Sequence, residues 1–213
     1  MRTSLRATGR PGILAGGIIT GVLALTATAC SSSSSAPAAA ASPSHHAMAS
    51  HHAVADTAVF GSDCGMVPAT GMGSLHSMGM DPVVTAASHN PLLTTLAKDI
   101  NTAGLTADLN TMHAVTVFAP ANTAFTRAPA SAMTMMHSKT ELTKILKYHV
   151  VSGSITPAQL ASGKPLTTLE GSTLKPSKMG AVYEVNNASI ICGNIHTANA
   201  TVYVINKVLT PMH

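Results

Sequence analysis

The chain has 213 residues, 12 of them basic and 8 acidic, and a formal charge of +4. Three of the basic residues, Arg2, Arg6 and Arg10, fall in the first ten positions, and without residues 1–29 nine basic residues face eight acidic ones, a net charge of +1. That excludes the clustered basic face a nucleic-acid partner needs. With no Trp, three Phe and three Tyr, the chain also lacks a stacking platform for bases.

After the three arginines, residues 13–25 form an apolar stretch broken only by small residues and one Thr. It is shorter and richer in glycine than the run of about 20 apolar residues that spans a bilayer. Residues 1–29 therefore read as a cleaved signal peptide. The segment Leu25-Thr26-Ala27-Thr28-Ala29-Cys30 resembles the bacterial lipobox, in which the thiol receives diacylglycerol and cleavage falls just before it; Ala27 stands where Leu is usual. Cys30 is thus the predicted lipidation site, which places the protein on the extracytoplasmic face of the cell membrane, with some of it released. The other reading is an ordinary secretory signal that leaves Cys30 as a spare thiol. The serines at 31–35 suit a tether and favour the lipid.

Residues 30–58 are Ser, Ala, Pro and His with almost no larger aliphatic side chain, too little apolar surface to offset the entropy of ordering. They read as a linker, and residues 59–213, where Val, Leu and Ile enter, as one domain. With Cys30 lipidated, Cys64 and Cys192 remain, and in an oxidising compartment they are expected to pair. Two separate buried thiols are the alternative.

Within the domain, Asp81-Pro82 and Asn90-Pro91 each place a capping side chain before a proline, predicting short helices over 83–87 and 92–97, with Gly104 ending the pattern. Val115-Thr116-Val117-Phe118 reads as a strand. Ser138 and Glu141 have capping-box spacing and precede Leu142, Ile145 and Leu146, which share one face. Thr156-Pro157 opens a further helical turn. Strands are expected at 166–169 and 172–174 around Glu170-Gly171, and at 182–185 and 189–192 around Asn186-Asn187. The last strand, 201–205, is apolar on both faces and reads as central. Helices early and hairpins late give an α+β class.

Two segments, Thr116-Val117-Phe118-Ala119-Pro120-Ala121-Asn122-Thr123-Ala124-Phe125 and Ala200-Thr201-Val202-Tyr203-Val204-Ile205-Asn206-Lys207-Val208-Leu209-Thr210-Pro211, resemble the paired motifs of the fasciclin (FAS1) family. Between them, Tyr148-His149-Val150-Val151 resembles the family's central Tyr-His motif. The resemblance covers nearly everything after Phe60, and the placement of Asp81-Pro82-Val83, Cys64 and Cys192 is most similar to secreted and lipid-anchored mycobacterial members. It implies a single FAS1 domain, a β-strand wedge with short helices packed on it, working in extracellular adhesion or surface interaction with a protein or glycan partner, as a monomer. Asn199-Ala200 replaces the more usual Asn-Gly, which predicts a wider turn, and Asn206 replaces Asp, which removes a charged partner. Physically, Phe118 is a strand residue, Pro120 ends the strand, Asn122 caps the turn containing Phe125, and His149, beside Tyr148, is expected to be buried and hydrogen-bonded.

Chemistry is sparse. There is no Gly-x-Ser-x-Gly elbow, phosphate loop or dinucleotide fingerprint, and the eight acidic residues are scattered singly. The chain reads as a non-enzyme without a cofactor. The unusual feature is 11 His and 12 Met. His45, His46, His51 and His52 in the linker, with Met78 and Met80 in the domain, supply imidazole and thioether donors that suit copper or zinc. A metal-binding surface lipoprotein is the alternative function, although no cluster has fixed ligand spacing.

Overall fold

The computed structural model describes residues 58–211. Cys30 and the His pairs of the linker lie outside them. In chain order the elements are a 3-10 turn Cys64–Met66, α1 Leu75–Met78, α2 Val83–His89, α3 Thr94–Ala103, α4 Thr106–Thr111, β1 Val115–Pro120, α5 Asn122–Thr126, α6 Ala130–Met136, α7 Lys139–Tyr148, β2 Val150–Ser152, α8 Pro157–Ala161, β3 Leu166–Thr167, β4 Thr173–Leu174, β5 Pro176–Met179, β6 Val182–Val185, β7 Ala188–His196 and β8 Ala200–Ile205.

Six strands form one sheet in the order β2-β1-β8-β7-β6-β5, and β3 pairs with β4 separately. As its apolar composition predicts, β8 is central: all six residues are buried, it runs parallel to β1 in register Val115↔Ala200 to Pro120↔Ile205, and it pairs antiparallel with β7. Side chains from β1 and β8 feed two cores. One gathers α2, α3, α4 and part of α7 around Val117, Val202 and Val204. The other gathers α8, β3, β4, β6 and β7 around Phe118, Tyr203 and Ile205.

The helices lie close to where the sequence puts them, but their ends are held differently. Asp81 does not cap α2; its carboxylate lies 3.6 Å from Nδ1 of His89. The first N–H groups of α2 are taken from afar, Val83 N–H donating to Oδ1 of Asn199 at 2.8 Å and Val84 N–H to Oδ1 of Asn110 at 3.0 Å. Nδ2 of Asn199 in turn donates to the carbonyls of Leu109 and Met112, each at 2.8 Å, so one buried amide closes the start of α2 and the end of α4. Asn90 forms a local turn, its Oδ1 accepting from Leu92 N–H, and α3 begins later, at Thr94. That helix is capped by Asn122, whose Oδ1 accepts from Thr95 N–H at 2.9 Å, so the role expected for Asn122 at its own turn is corrected. The Ser138 capping box is absent too, because Glu141 is drawn to Lys144 at 2.9 Å. Thr156 and Gln159 do form a reciprocal capping box at the start of α8. The turn before β8 is not widened by Ala200: Thr197 spans it, with Ala200 N–H donating to Thr197 Oγ1 at 3.0 Å.

A strap at the start of the domain is fastened to β7. Cys64 and Cys192 form a disulfide across 128 positions of sequence. Phe60 and Gly193 exchange backbone hydrogen bonds of 3.2 and 2.7 Å, and Asp63 N–H donates to the Ile191 carbonyl at 2.9 Å. Gly61, at φ +125°, leaves no room for a Cβ against the Ile191 carbonyl, and a Cβ on Gly193 would stand 2.7 Å from the Phe60 ring.

Two outcomes follow. Asn199→Ala strands buried donors and acceptors at two helix ends and is expected to lower stability by about 2–3 kcal/mol in urea denaturation. Reducing the disulfide frees a long loop in the unfolded chain and is expected to cost up to about 5 kcal/mol in the entropic model, read as a fall in melting temperature with reductant.

Candidate functional site

The three signature segments meet at His149, which is fully buried after the last turn of α7. Its main-chain carbonyl accepts from Phe118 N–H at 2.9 Å, fastening the first segment. Its ring lies with Nδ1 2.8 Å from the Ile145 carbonyl, and Nε2 accepts from Leu209 N–H at 3.0 Å, fastening the last segment. This pattern needs the neutral ring protonated on Nδ1. Burial opposes the imidazolium and lowers the pKa to about 4, the bond to the Ile145 carbonyl partly offsetting the fall. Beside it, Tyr148 OH accepts from Nδ2 of Asn186 at 2.7 Å, and burial raises its pKa. Phe118 stacks on Tyr203 with centroids 5.7 Å apart; Pro120 and Phe125 are buried around the same joint.

On the outside of this joint lies a groove of about 730 Å³, lined in part by Phe60, Pro157, Val182, Tyr183, Ile191 and Asn206. It opens where β6 leaves β7, since the two pair only at Glu184↔Ser189 and Val185↔Ala188. Beyond that point the strap takes the place of β6 along β7. Phe60 sits 4.7 Å from the Tyr183 ring and 6.2 Å from Tyr203, and Nζ of Lys178 lies 4.8 Å above Tyr183. Asn206, in place of an acid, completes the ladder as a neutral amide: its Oδ1 accepts from Ser189 N–H at 2.9 Å, and its own N–H donates to the Ser189 carbonyl at 3.1 Å. A second cleft, of about 580 Å³, is lined by Lys139, Lys144 and Lys147 of α7 together with Leu169 and Glu170.

The profile of the Fasciclin domain matches residues 91–211, from the turn before α3 to the end of the described chain. The chain belongs to the Fasciclin domain family. It is 42% identical over 152 residues to immunogenic protein MPB70 of Mycobacterium bovis, covering 67% of this chain and 75% of that one. To cell surface glycolipoprotein MPB83 of the same organism it is 39% identical over 170 residues, covering 75% and 76%. A solved FAS1 domain pair from the insect cell adhesion molecule fasciclin I aligns with a TM-score of 0.47 at 19% identity, over 56% of this chain and 45% of that one.

In this fasciclin domain Phe118 and Tyr148 belong to one core and Phe125 to the other, His149 bonds Phe118 N–H and Leu209 N–H, and Asn122 caps α3. Cys64 and Cys192 join the strap to β7. Among the described residues no group of three His, Cys, Asp or Glu side chains could hold an ion; His45, His46, His51 and His52 lie outside them. Met78 is fully buried with its thioether 3.2 Å from Nδ2 of Asn90, whereas Met80 is 74% exposed. The groove went unforeseen in the sequence, because its walls come from positions as distant as Phe60 and Asn206.

His149 gives the fold a pH dependence. In the unfolded chain the ring takes a proton near its ordinary pKa of 6.5, but in the fold only near 4. Between those values the unfolded chain binds more protons, so stability is full above pH 6.5 and falls by up to about 3 kcal/mol as the pH drops to 4. His149→Ala is expected to lower stability at pH 7 by about 1–3 kcal/mol, by stranding Leu209 N–H and the Ile145 carbonyl. It should also flatten the dependence between pH 4 and 6.5, which denaturation at several pH values would read.

Proposed function

We propose that the protein is an exported surface lipoprotein, anchored through a diacylglycerol on Cys30, whose fasciclin domain is a non-catalytic module for an extracellular protein or glycan partner. The observation that carries this reading is the 39% identity over 75% of the chain to a relative named as a cell surface glycolipoprotein. The lipobox-like segment ending at Cys30 supplies the anchor. Among the described residues no helix is long and apolar enough to cross a membrane, which gives the anchor its task. His149, the titratable group most strongly perturbed in the domain, is committed to the scaffold through both ring nitrogens, consistent with binding rather than chemistry.

The anchor is tested by Cys30→Ala. Wild-type protein is expected in the detergent-rich phase of a detergent partition and the variant in the aqueous phase; an unchanged distribution would overturn the assignment. Deleting residues 31–58 should leave partner affinity unchanged within about twofold, because a Ser-, Ala- and Pro-rich segment of that length is expected to supply a reach of roughly 30 Å rather than contacts to the partner.

A further inference from the structure

The β5–β6 hairpin ends in a feature that neither core explains. Residues 177–182 are all exposed, and at the two-residue turn Gly180-Ala181 the chain places Met179 directly opposite Val182. Met179 is 71% and Val182 47% exposed, an apolar pair at a protruding tip that folding leaves in water. Paired apolar residues at the end of a strand ladder contribute little to stability there, so their use lies outside the chain. Lys178, next to Met179 in sequence and steadied by its position over the Tyr183 ring, stands beside them, and Lys175 precedes β5 at the other end of the hairpin, across from Asn186. The one acidic residue of the hairpin, Glu184, is occupied by a hydrogen bond from Ser189 Oγ at 3.0 Å.

Charge leans the same way: residues 58–163 balance five basic against five acidic side chains, whereas residues 164–207 carry four lysines and two acids. The chain also enters the domain beside the tip, since Ala58 lines the same groove as Ala181, Val182 and Tyr183. A second copy of the chain is a poor occupant. Edge-to-edge pairing of β5 would bring Lys175 and Lys178 of both copies together, which is how exposed edges avoid association.

We propose that this hairpin is a docking tip for an anionic lipid surface: Met179 and Val182 enter the headgroup layer, and Lys175 and Lys178 lie against phosphate. Small apolar wedges flanked by cations hold proteins at such interfaces through buried area and salt-sensitive attraction together. The location at a membrane rests on the Cys30 anchor proposed above. The tip turns the lysine-bearing β5–β6 hairpin toward the bilayer. The tethered domain thereby gains a preferred orientation.

The test uses exported protein carrying Cys30→Ala, so that no lipid masks the contact, and vesicles of phosphatidylglycerol or of phosphatidylcholine. Co-sedimentation is expected with the anionic vesicles alone and should weaken steeply with added salt, as screened attraction does. Met179→Ser with Val182→Ser should lower the bound fraction about fivefold and Lys175→Glu with Lys178→Glu about tenfold, with melting curves unchanged because all four side chains are exposed. Absence of binding to phosphatidylglycerol, or hairpin variants that bind like the parent, would overturn the proposal. Two further results would do the same. One is retention on soluble dextran sulfate equal to that on vesicles and indifferent to the Met179 and Val182 changes, which would mark a polyanion site. The other is a dimer in sedimentation that the lysine variant strengthens, which would mark a strand-edge interface. Detergent partition of the wild type reports the anchor separately: vesicle binding by a chain that carries no lipid removes the anchor and leaves the docking tip standing.

Discussion

A neutral imidazole can accept through one nitrogen while donating through the other, and this domain hangs its two ends on that property. The sheet needs β1 and β8 side by side although they lie some eighty positions apart, and parallel neighbours cannot be joined by a tight turn. His149 sits between them in sequence and joins both in space, its carbonyl on Phe118 and its ring on Leu209. Burial is what makes the ring resist a proton so strongly, and protonation would also turn the acceptor into a donor facing the Leu209 donor. The most histidine-like chemistry in the domain is therefore spent on architecture.

The same economy runs through the asparagines. Asn199, Asn122 and Asn206 each satisfy backbone groups from other elements, closing helix ends or extending the β7–β8 ladder without bringing in a charge. A carboxylate could accept at these places but not donate to Leu109, Met112 or Pro91, whereas an amide does both. Substituting Asn for Asp at 206 therefore costs the sheet nothing visible, since the position calls for an acceptor rather than a charge.

This explains what could be read from the residues alone. Periodicity and β-branching locate α3, α7, β1 and β8, because those signals are local and strong. The Thr156 capping box is legible for the same reason. Asp81, Asn90 and Ser138 look like caps by spacing, yet the α2 and α3 ends are bonded by side chains from other elements and Ser138 caps nothing, information that spacing does not carry. Short elements such as α4 and β5 lack a full period and escape notice. The three motifs announce the family, but the groove is written in no motif. It exists because β6 departs from β7 after two pairs and the strap fills the vacated edge.

The clasp between Cys64 and Cys192 has a mechanical side. A pull arriving along the chain from before Ala58 meets the strap first, and beyond Cys64 the covalent path passes straight to Cys192 in the middle of β7. The 128 positions between the two cysteines are short-circuited, withholding on the order of 400 Å of extension at about 3.3–3.6 Å per residue. Tension along the chain can then draw out only the short strap and the segment after Cys192, which includes β8, while α1 to α8 and β1 to β6 are bypassed. A reducing environment would remove that protection and expose the whole chain to stretch.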